Sequence, residues 1–421
     1  MTGVVQFRSD HPVHRQPVAG ISSSAAWPAD PIWWLSFFSF SGFVLATRIG
    51  SLGMAICLGS WLLYVAAWPR RCLSWLESYR LPWILPVYAA MSALWSIERG
   101  ISLKLGFEFI VFTAIAIVAA KAQTSRGLIS SFMCALLIGM VLSAVFHTTA
   151  AVGTGGEVAL IGMFGSKNNL ASFACLSMIS SISVLGDRYQ PRMLRILALL
   201  GLLLDPIILI KAHSLGALFA GGGGCGVAAA IVLLARVPSR QRNLLLALSA
   251  ILAAGLAIVI VVALHAGFDV STVLASAGKD TSLTGRTFLW SRAQEYIAIR
   301  PVLGLGYQSF WVQGHVEAEG LWRYAQIESR AGFHFHNLYY ETAVELGELG
   351  AAIMGVYLLA AGVVAFRAGL SRPSPEAAFL AALMVFYAIR VSVELDFLDP
   401  FSPGSFLLPV IWVYGTDRTR V

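Results

Sequence analysis

Four short stretches carry side chains able to handle a phosphorylated substrate: Gly165-Ser-Lys-Asn-Asn169, Lys211 with His213, Gly285-Arg286, and His334-Phe-His336-Asn337. Arginine stays charged and grips phosphate oxygens through two parallel N–H bonds, so it can stabilise a diphosphate leaving group without a metal. Histidine titrates near neutral pH and can take the proton of an attacking hydroxyl. Singly, each residue has a plainer reading. A lysine at the end of an apolar segment usually snorkels to headgroups, a loop histidine is usually solvated, and Asn337 is placed to cap a helix with Glu341 near its start. Nucleotide hydrolysis is not supported, because no glycine-rich loop has a lysine at P-loop spacing and Gly221 to Gly224 lie inside an apolar segment. No metal site is expected either. HExxH and DxD are absent, the five cysteines form no CxxC pair, and Asp396 and Asp399 read as a polar turn.

The elements that must position these groups are set by composition. Of 421 residues, 57% are hydrophobic and 12% charged, against about 25% charged in a soluble domain. The apolar residues fall in runs long enough to cross a hydrocarbon core of about 30 Å, without the alternation of a transmembrane barrel. The chain therefore reads as an all-α polytopic membrane protein. Twelve spans are expected: Pro31 to Ala46, Ser51 to Trp68, Leu81 to Trp95, Leu105 to Ala120, Leu128 to Val152, Leu170 to Gly186, Ile196 to Ile210, Leu215 to Ala235, Asn243 to Ala266, Leu346 to Ala365, Ala377 to Val393 and Pro403 to Tyr414. Residues 1–30, polar and proline-bearing, read as a disordered cytoplasmic tail rather than a cleavable signal. The expected organisation is then spans over 31–266, a large outer loop over 267–336, and the last three spans and a short cytoplasmic end over 337–421.

Charge asymmetry orients the bundle. Arg70, Arg71 and Arg80, then Lys121 and Arg126, then Arg188, Arg192 and Arg195, then Arg236, Arg240 and Arg242 mark one side, whereas the intervening short connections hold only Arg48, Arg99, Lys104, Lys167 and Lys211. By the positive-inside rule both termini are cytoplasmic and the four reactive stretches share the outer face. The net charge of +7 is thus topological, and no nucleic-acid partner is expected. A loop as long as 267–336 is usually functional. From Thr287 to Ile299 the residues Leu289, Ala293, Tyr296 and Ile297 share one helical stripe, and Pro301 ends that helix, which should lie against a partner helix or the membrane surface. An outer membrane face carrying these groups suits transfer from a polyprenyl-diphosphate donor.

Several fragments, in order, resemble the signature of the O-antigen ligase and polymerase superfamily. They are Gly285-Arg-Thr-Phe-Leu-Trp290, Arg300-Pro-Val-Leu-Gly-Leu-Gly-Tyr307, Phe310-Trp311, His336-Asn-Leu-Tyr-Tyr340 and Glu345-Leu-Gly-Glu-Leu-Gly350, with Leu94-Trp-Ser-Ile-Glu-Arg99 and Phe164-Gly-Ser-Lys-Asn168 further upstream. The Trp95-Ser96 and Phe310-Trp311 pairs are most similar to the exopolysaccharide, succinoglycan-type polymerase branch. The resemblance implies a GT-C-like, metal-independent glycosyltransferase of the bacterial inner membrane without cofactors. Its site would face the periplasm, taking glycan from an undecaprenyl-diphosphate-linked oligosaccharide donor to a glycan acceptor. It further implies that Arg286 holds the diphosphate and that His336 is the base or orients the acceptor; His334 and Glu341 remain alternative proton acceptors. Where the family often has Ser-Arg or Ser-Lys, this chain has Ser214-Leu215, so Lys211 or Lys167 is expected to supply the second cation. Asn168, Arg292, Tyr307, His334, Asn337 and Arg390 complete the expected substrate contacts.

Arg390 has two readings. It is either a same-face ion pair with Glu394 four residues on, or a phosphate or glycan contact. Asp205, beside Pro206 in the seventh span, is equally open. The leading expectation is a polymerase of lipid-linked repeat units that works with polysaccharide export and chain-length proteins. A ligase onto lipid A-core or protein differs only in its acceptor. A lipid-linked glycan transporter, which would more often show paired broken helices in repeated halves, and a non-catalytic assembly partner are the rivals from other classes.

Overall fold

The computed structural model describes residues 27–152, 157–244, 286–330 and 332–417. Residues 1–26 of the expected tail, the expected span Asn243 to Ala266 but for its first two residues, and the opening of the outer loop lie outside them. The described chain is a helical membrane bundle. Helix α1 (Pro31–Ile49) starts on an Asp30 cap and stops at Gly50, in the left-handed region at φ +58°. α2 (Ser51–Ala67) then runs back along it. The two backbones touch at Gly42 and Gly53, where a Cβ on Gly42 would sit 2.6 Å from the Gly53 carbonyl oxygen; small residues permit such an approach. α3 (Pro69–Ser78) bends away from α2 by 108°. α4 (Leu81–Met91) and α5 (Arg99–Ala122) follow, then α6 (Ser125–Phe146), α7 (Lys167–Gly186), α8 (Arg192–Lys211) and α9 (Leu215–Leu234).

Among the described residues seven helices are long and apolar enough to cross a membrane, or eight if α2 and α3 count as one bent span. The expected twelve are therefore not all reached. α4 is short, as are α13 (Pro375–Arg390) and α14 (Pro403–Thr416), and the latter two are wedged almost wholly inside the bundle. The expected span Leu128 to Val152 also needs correcting. His147 takes a left-handed φ of +45° and ends α6, and Thr149–Val152 pairs antiparallel with Glu157–Leu160 as a hairpin. A short apolar run has no periodicity that separates helix from strand, and Thr149 and Val152 are β-branched, which favours strand.

Among the described residues the two largest of three hydrophobic clusters divide the work. The larger fills the bundle, with Phe40, Phe43, Phe112, Phe132 and Phe406 meeting edge-on or tilted at its centre. The smaller belongs to the stretch between α9 and α12 and gathers α10 (Arg286–Ile299), α11 (Val316–Tyr324) and the start of α12 (Leu338–Ser371) around Phe310, Trp322 and Phe335. The stripe read from the sequence is the one buried: Leu289, Ala293, Tyr296 and Ile297 face this core.

The family-like fragments meet in space as the seam between loop and bundle. Within α12, Gly347 breaks the helix at φ +70°, ψ −179°. Residues 301–306 lie along the break: the Leu305 and Gly306 amides donate to the carbonyls of Val344 (2.9 Å) and Glu345 (2.8 Å), and the Glu348 amide donates to Pro301 (2.8 Å). A Cβ on Gly347 would overlap the Val302 carbonyl, and one on Gly304 the Glu345 carbonyl. On the other side Trp95 Nε1 donates to the Leu303 carbonyl (2.9 Å), the Ile97 amide to Leu305 (3.0 Å) and Ser102 Oγ to Tyr307 (2.7 Å). Much of the glycine-rich signature is thus a docking seam for the loop.

Candidate active site

The seam holds the loop so that four segments converge at one end of the bundle. Arg286 opens α10. The turn His334 to Asn337 precedes α12, with His336 left-handed at φ +53°, a conformation a non-glycine residue adopts only when its surroundings enforce it. Asn168 lies in the first turn of α7, and Glu394 follows α13 in the connection to α14.

Glu394 is the hub. Asn168 Nδ2 donates to its Oε1 at 2.7 Å, and Arg286 Nη2 lies 3.7 Å from the same oxygen. His334 Nε2 and His336 Nδ1 lie 4.0 and 3.9 Å from Oε2. The last three are electrostatic contacts, too long for hydrogen bonds. Ser214 Oγ donates to Asn168 Oδ1 (3.1 Å), which ties the start of α9 to the cluster.

The histidines are fixed by the turn itself. The His336 amide donates to His334 Nδ1 at 3.0 Å, which leaves the proton of a neutral His334 on Nε2, facing Glu394. Burial pulls the His334 pKa down to about 3, with His336, Arg286 and Arg390 adding to the effect against the opposing charge of Glu394. Burial would raise the Glu394 carboxyl, yet His336, Arg390 and His334 together hold it well below the usual carboxylate range. His336 Nδ1 makes no hydrogen bond.

The turn is pinned from behind. Trp290, one helical turn along from Arg286, donates from Nε1 to the Phe335 carbonyl (2.9 Å), which couples α10 to the histidines. Glu341 is buried and both its oxygens are used, accepting from Trp311 Nε1 (2.7 Å) and from the Phe335 amide (2.7 Å). Asn337 caps α12, accepting from the Tyr339 and Tyr340 amides at 3.0 and 3.3 Å.

Several expected contacts lie elsewhere. Glu341, expected as an alternative proton acceptor, turns both oxygens into the loop core. Tyr307 is fully buried, stacks on Phe109 and donates to the Leu398 carbonyl, because the glycines before it draw the chain into the bundle. Arg292 stays on the surface of α10 with Glu295 and Tyr296. Lys211 is exposed at the end of α8, and Lys167 opens α7 next to Asn168.

Arg390 does not pair with Glu394 as its spacing predicts. Its Nε and Nη2 bind Asp396 Oδ2 (2.8 Å) and Oδ1 (3.0 Å) in a buried fork. α13 ends at Arg390, the chain turns, and Asp396 folds back while Glu394 points to Arg286. Asp396 is accordingly a buried counter-ion rather than part of a polar turn.

Ligand atoms of His334, His336 and Glu394 lie within 4.8 Å of one another, a spacing that could hold a metal ion and that no local motif announces. The neighbouring guanidinium of Arg286 makes the same pocket better suited to an anion. Glu394, Ser214, Trp290 and Trp311 are the contributors that sequence reasoning missed. The signal for Glu394 was present only as a carboxylate near Arg390.

Residues 198–355 match the family model described as O-Antigen ligase, a stretch that includes Arg286, His334 and His336. Over 387 residues the chain is 30% identical to the exopolysaccharide production protein ExoQ of Rhizobium meliloti (strain 1021), which covers 90% of this chain and 87% of that protein. The chain belongs to the O-antigen ligase family. As a member it is an integral membrane protein of the ligase and polymerase class in polysaccharide biosynthesis. The family-model match ends before α13, so Arg390 and Glu394 lie beyond it and Asn168 before it. The relative's alignment is long enough to span most of the chain.

Proposed function

We propose that this O-antigen ligase family member polymerises undecaprenyl-diphosphate-linked oligosaccharide repeat units on the periplasmic face of the bacterial inner membrane, with both termini cytoplasmic. The observation that carries the reading is the convergence of Arg286, His334 and His336 on one pocket at an end of the membrane bundle. The hydroxyl of the incoming unit attacks the anomeric carbon of the growing glycan. The bond from that carbon to the diphosphate oxygen breaks, and the diphosphate leaves with its charge held by Arg286. The hydroxyl proton passes to His336, whose Nδ1 has no hydrogen-bond partner in the protein. His334, neutral and carrying its proton on Nε2, donates to a phosphate or sugar oxygen. Lys167 and Lys211 add positive potential on the same face, and Arg390, paired with Asp396, holds the connection that carries Glu394 rather than touching the substrate.

The test is reconstitution of the purified protein with its lipid-linked repeat unit, following glycan length with and without a chelator. A chelator-resistant ladder that falls by about 10²–10³-fold in Arg286→Ala supports the proposal, the loss expected for one transition-state charge contact. Full-length polymer that is made but left unattached in cells lacking the protein would favour the second reading, a ligase, to which the family description points. Donor held on the cytoplasmic leaflet in such cells would instead indicate a transporter.

A further inference from the structure

Glu394 is an odd neighbour for a leaving group. A carboxylate is repelled by a diphosphate, yet this one sits in the middle of the donors that should receive it. Its fit there is loose. Only Asn168 reaches it at hydrogen-bond distance, 2.7 Å, while Arg286, His334 and His336 stand off at 3.7, 4.0 and 3.9 Å. Three donors and the His336 ring, arriving from three segments, thus surround a group with two oxygens, and all but Asn168 stop short. A phosphate is wider and has more acceptor oxygens, so it would close the gaps that the carboxylate leaves. Glu394 also stands on the α13–α14 connection rather than within a helix, and its three side-chain torsions let it leave without moving the backbone. That backbone is anchored next door by the Arg390–Asp396 fork.

We propose that Glu394 is a resident stand-in for the diphosphate, filling the anion seat of Arg286, His334, His336 and Asn168 in the unloaded protein and giving it up to the donor. The inference rests on reading that cluster as a diphosphate seat. Two consequences follow. The half-buried guanidinium of Arg286 keeps a counter-charge between turnovers, and the returning carboxylate competes with the departing diphosphate, which speeds its release.

The experiment measures binding of inorganic pyrophosphate to the full-length protein in lipid nanodiscs by calorimetry, for wild type, Glu394→Gln, Glu394→Ala, Arg286→Ala and the Arg286→Ala/Glu394→Gln double variant. Each is run at about 0.1 M and about 1 M salt. The stand-in predicts at least tenfold tighter binding in both Glu394 variants, and a gain that persists at 1 M, as expected of partly buried groups in contact rather than of exposed charges at a distance, for which the Debye length is about 3 Å. The gain disappears in the double variant. Unchanged or weaker binding in both Glu394 variants, with binding still dependent on Arg286, overturns the stand-in and leaves the diphosphate seat intact. A gain that vanishes at 1 M salt also overturns it, as a field effect. Binding equal in wild type and Arg286→Ala, or undetectable in every variant, overturns the seat and the stand-in with it.

Discussion

At the scale of single residues, Glu341 and His334 divide the work of holding the histidine turn. Glu341 accepts two buried N–H bonds, so Glu341→Gln leaves one donor facing an amide NH2. The expected cost is about 1–3 kcal/mol. A lowered melting temperature and a lower rate, with the acid limb of the pH profile unmoved, mark a positioning role; disappearance of that limb would make Glu341 the proton acceptor instead. His334 sets a pH dependence of its own. Its pKa in the folded protein is pulled from 6.5 to about 3, chiefly by burial. The fold therefore favours the neutral ring, and its contribution is intact above 6.5 and lost as pH falls toward 3. Glu394, held below the usual carboxylate range by His336, Arg390 and His334 against its burial, works in the same direction. The melting temperature should drop through that window in wild type and drop less in His334→Gln. Asn337 was legible as a cap because an N-cap is a local device. Glu394 was not, because its partners Asn168 and Arg286 are far away in the chain, and no spacing rule reaches that far.

At the scale of elements, two features carry the site: the broken α12 and the connection after α13. Gly347→Ala must adopt a left-handed backbone and meets the Val302 carbonyl, so it should cost more than about 1 kcal/mol. Gly355→Ala, in the same helix with open space at its Cβ position, should be neutral or stabilising. Thermal melting of the two variants side by side checks the seam. In the second feature, Asp396→Asn strips the buried Arg390 of its counter-charge, expected to cost about 3–5 kcal/mol, and the protein should accumulate poorly. The Arg390→Met/Asp396→Leu double variant should recover much of the yield, as buried ion pairs replaced by apolar groups often do. Polymerisation by that recovered protein would show that Arg390 holds the connection and does not touch substrate. The amphipathic stripe of α10 could be read beforehand because helical periodicity records burial directly. The partner of Arg390 could not. Its i, i+4 rule presumes a helix that continues, and α13 stops at Arg390.

At the scale of the whole molecule, charge asymmetry predicts which end of the bundle meets the periplasm. A single cysteine at the exposed Gln294 of α10 should react with an impermeant maleimide in intact spheroplasts, and one at the exposed Arg188 only after permeabilisation; the reverse pattern would invert the proposed orientation. The sequence by itself determined the membrane class, the family, the buried stripe of α10 and the candidate pair Arg286 and His336. These are properties of composition, periodicity and ordered motifs, which are written locally. Only the tertiary structure decided that Glu394 sits among Arg286, His334, His336 and Asn168, that Tyr307 and Glu341 are buried with their side-chain oxygens engaged, and that the glycine motifs are a seam. Those outcomes depend on which distant segments the two cores bring together, and long-range packing leaves no mark in the spacing of neighbours along the chain.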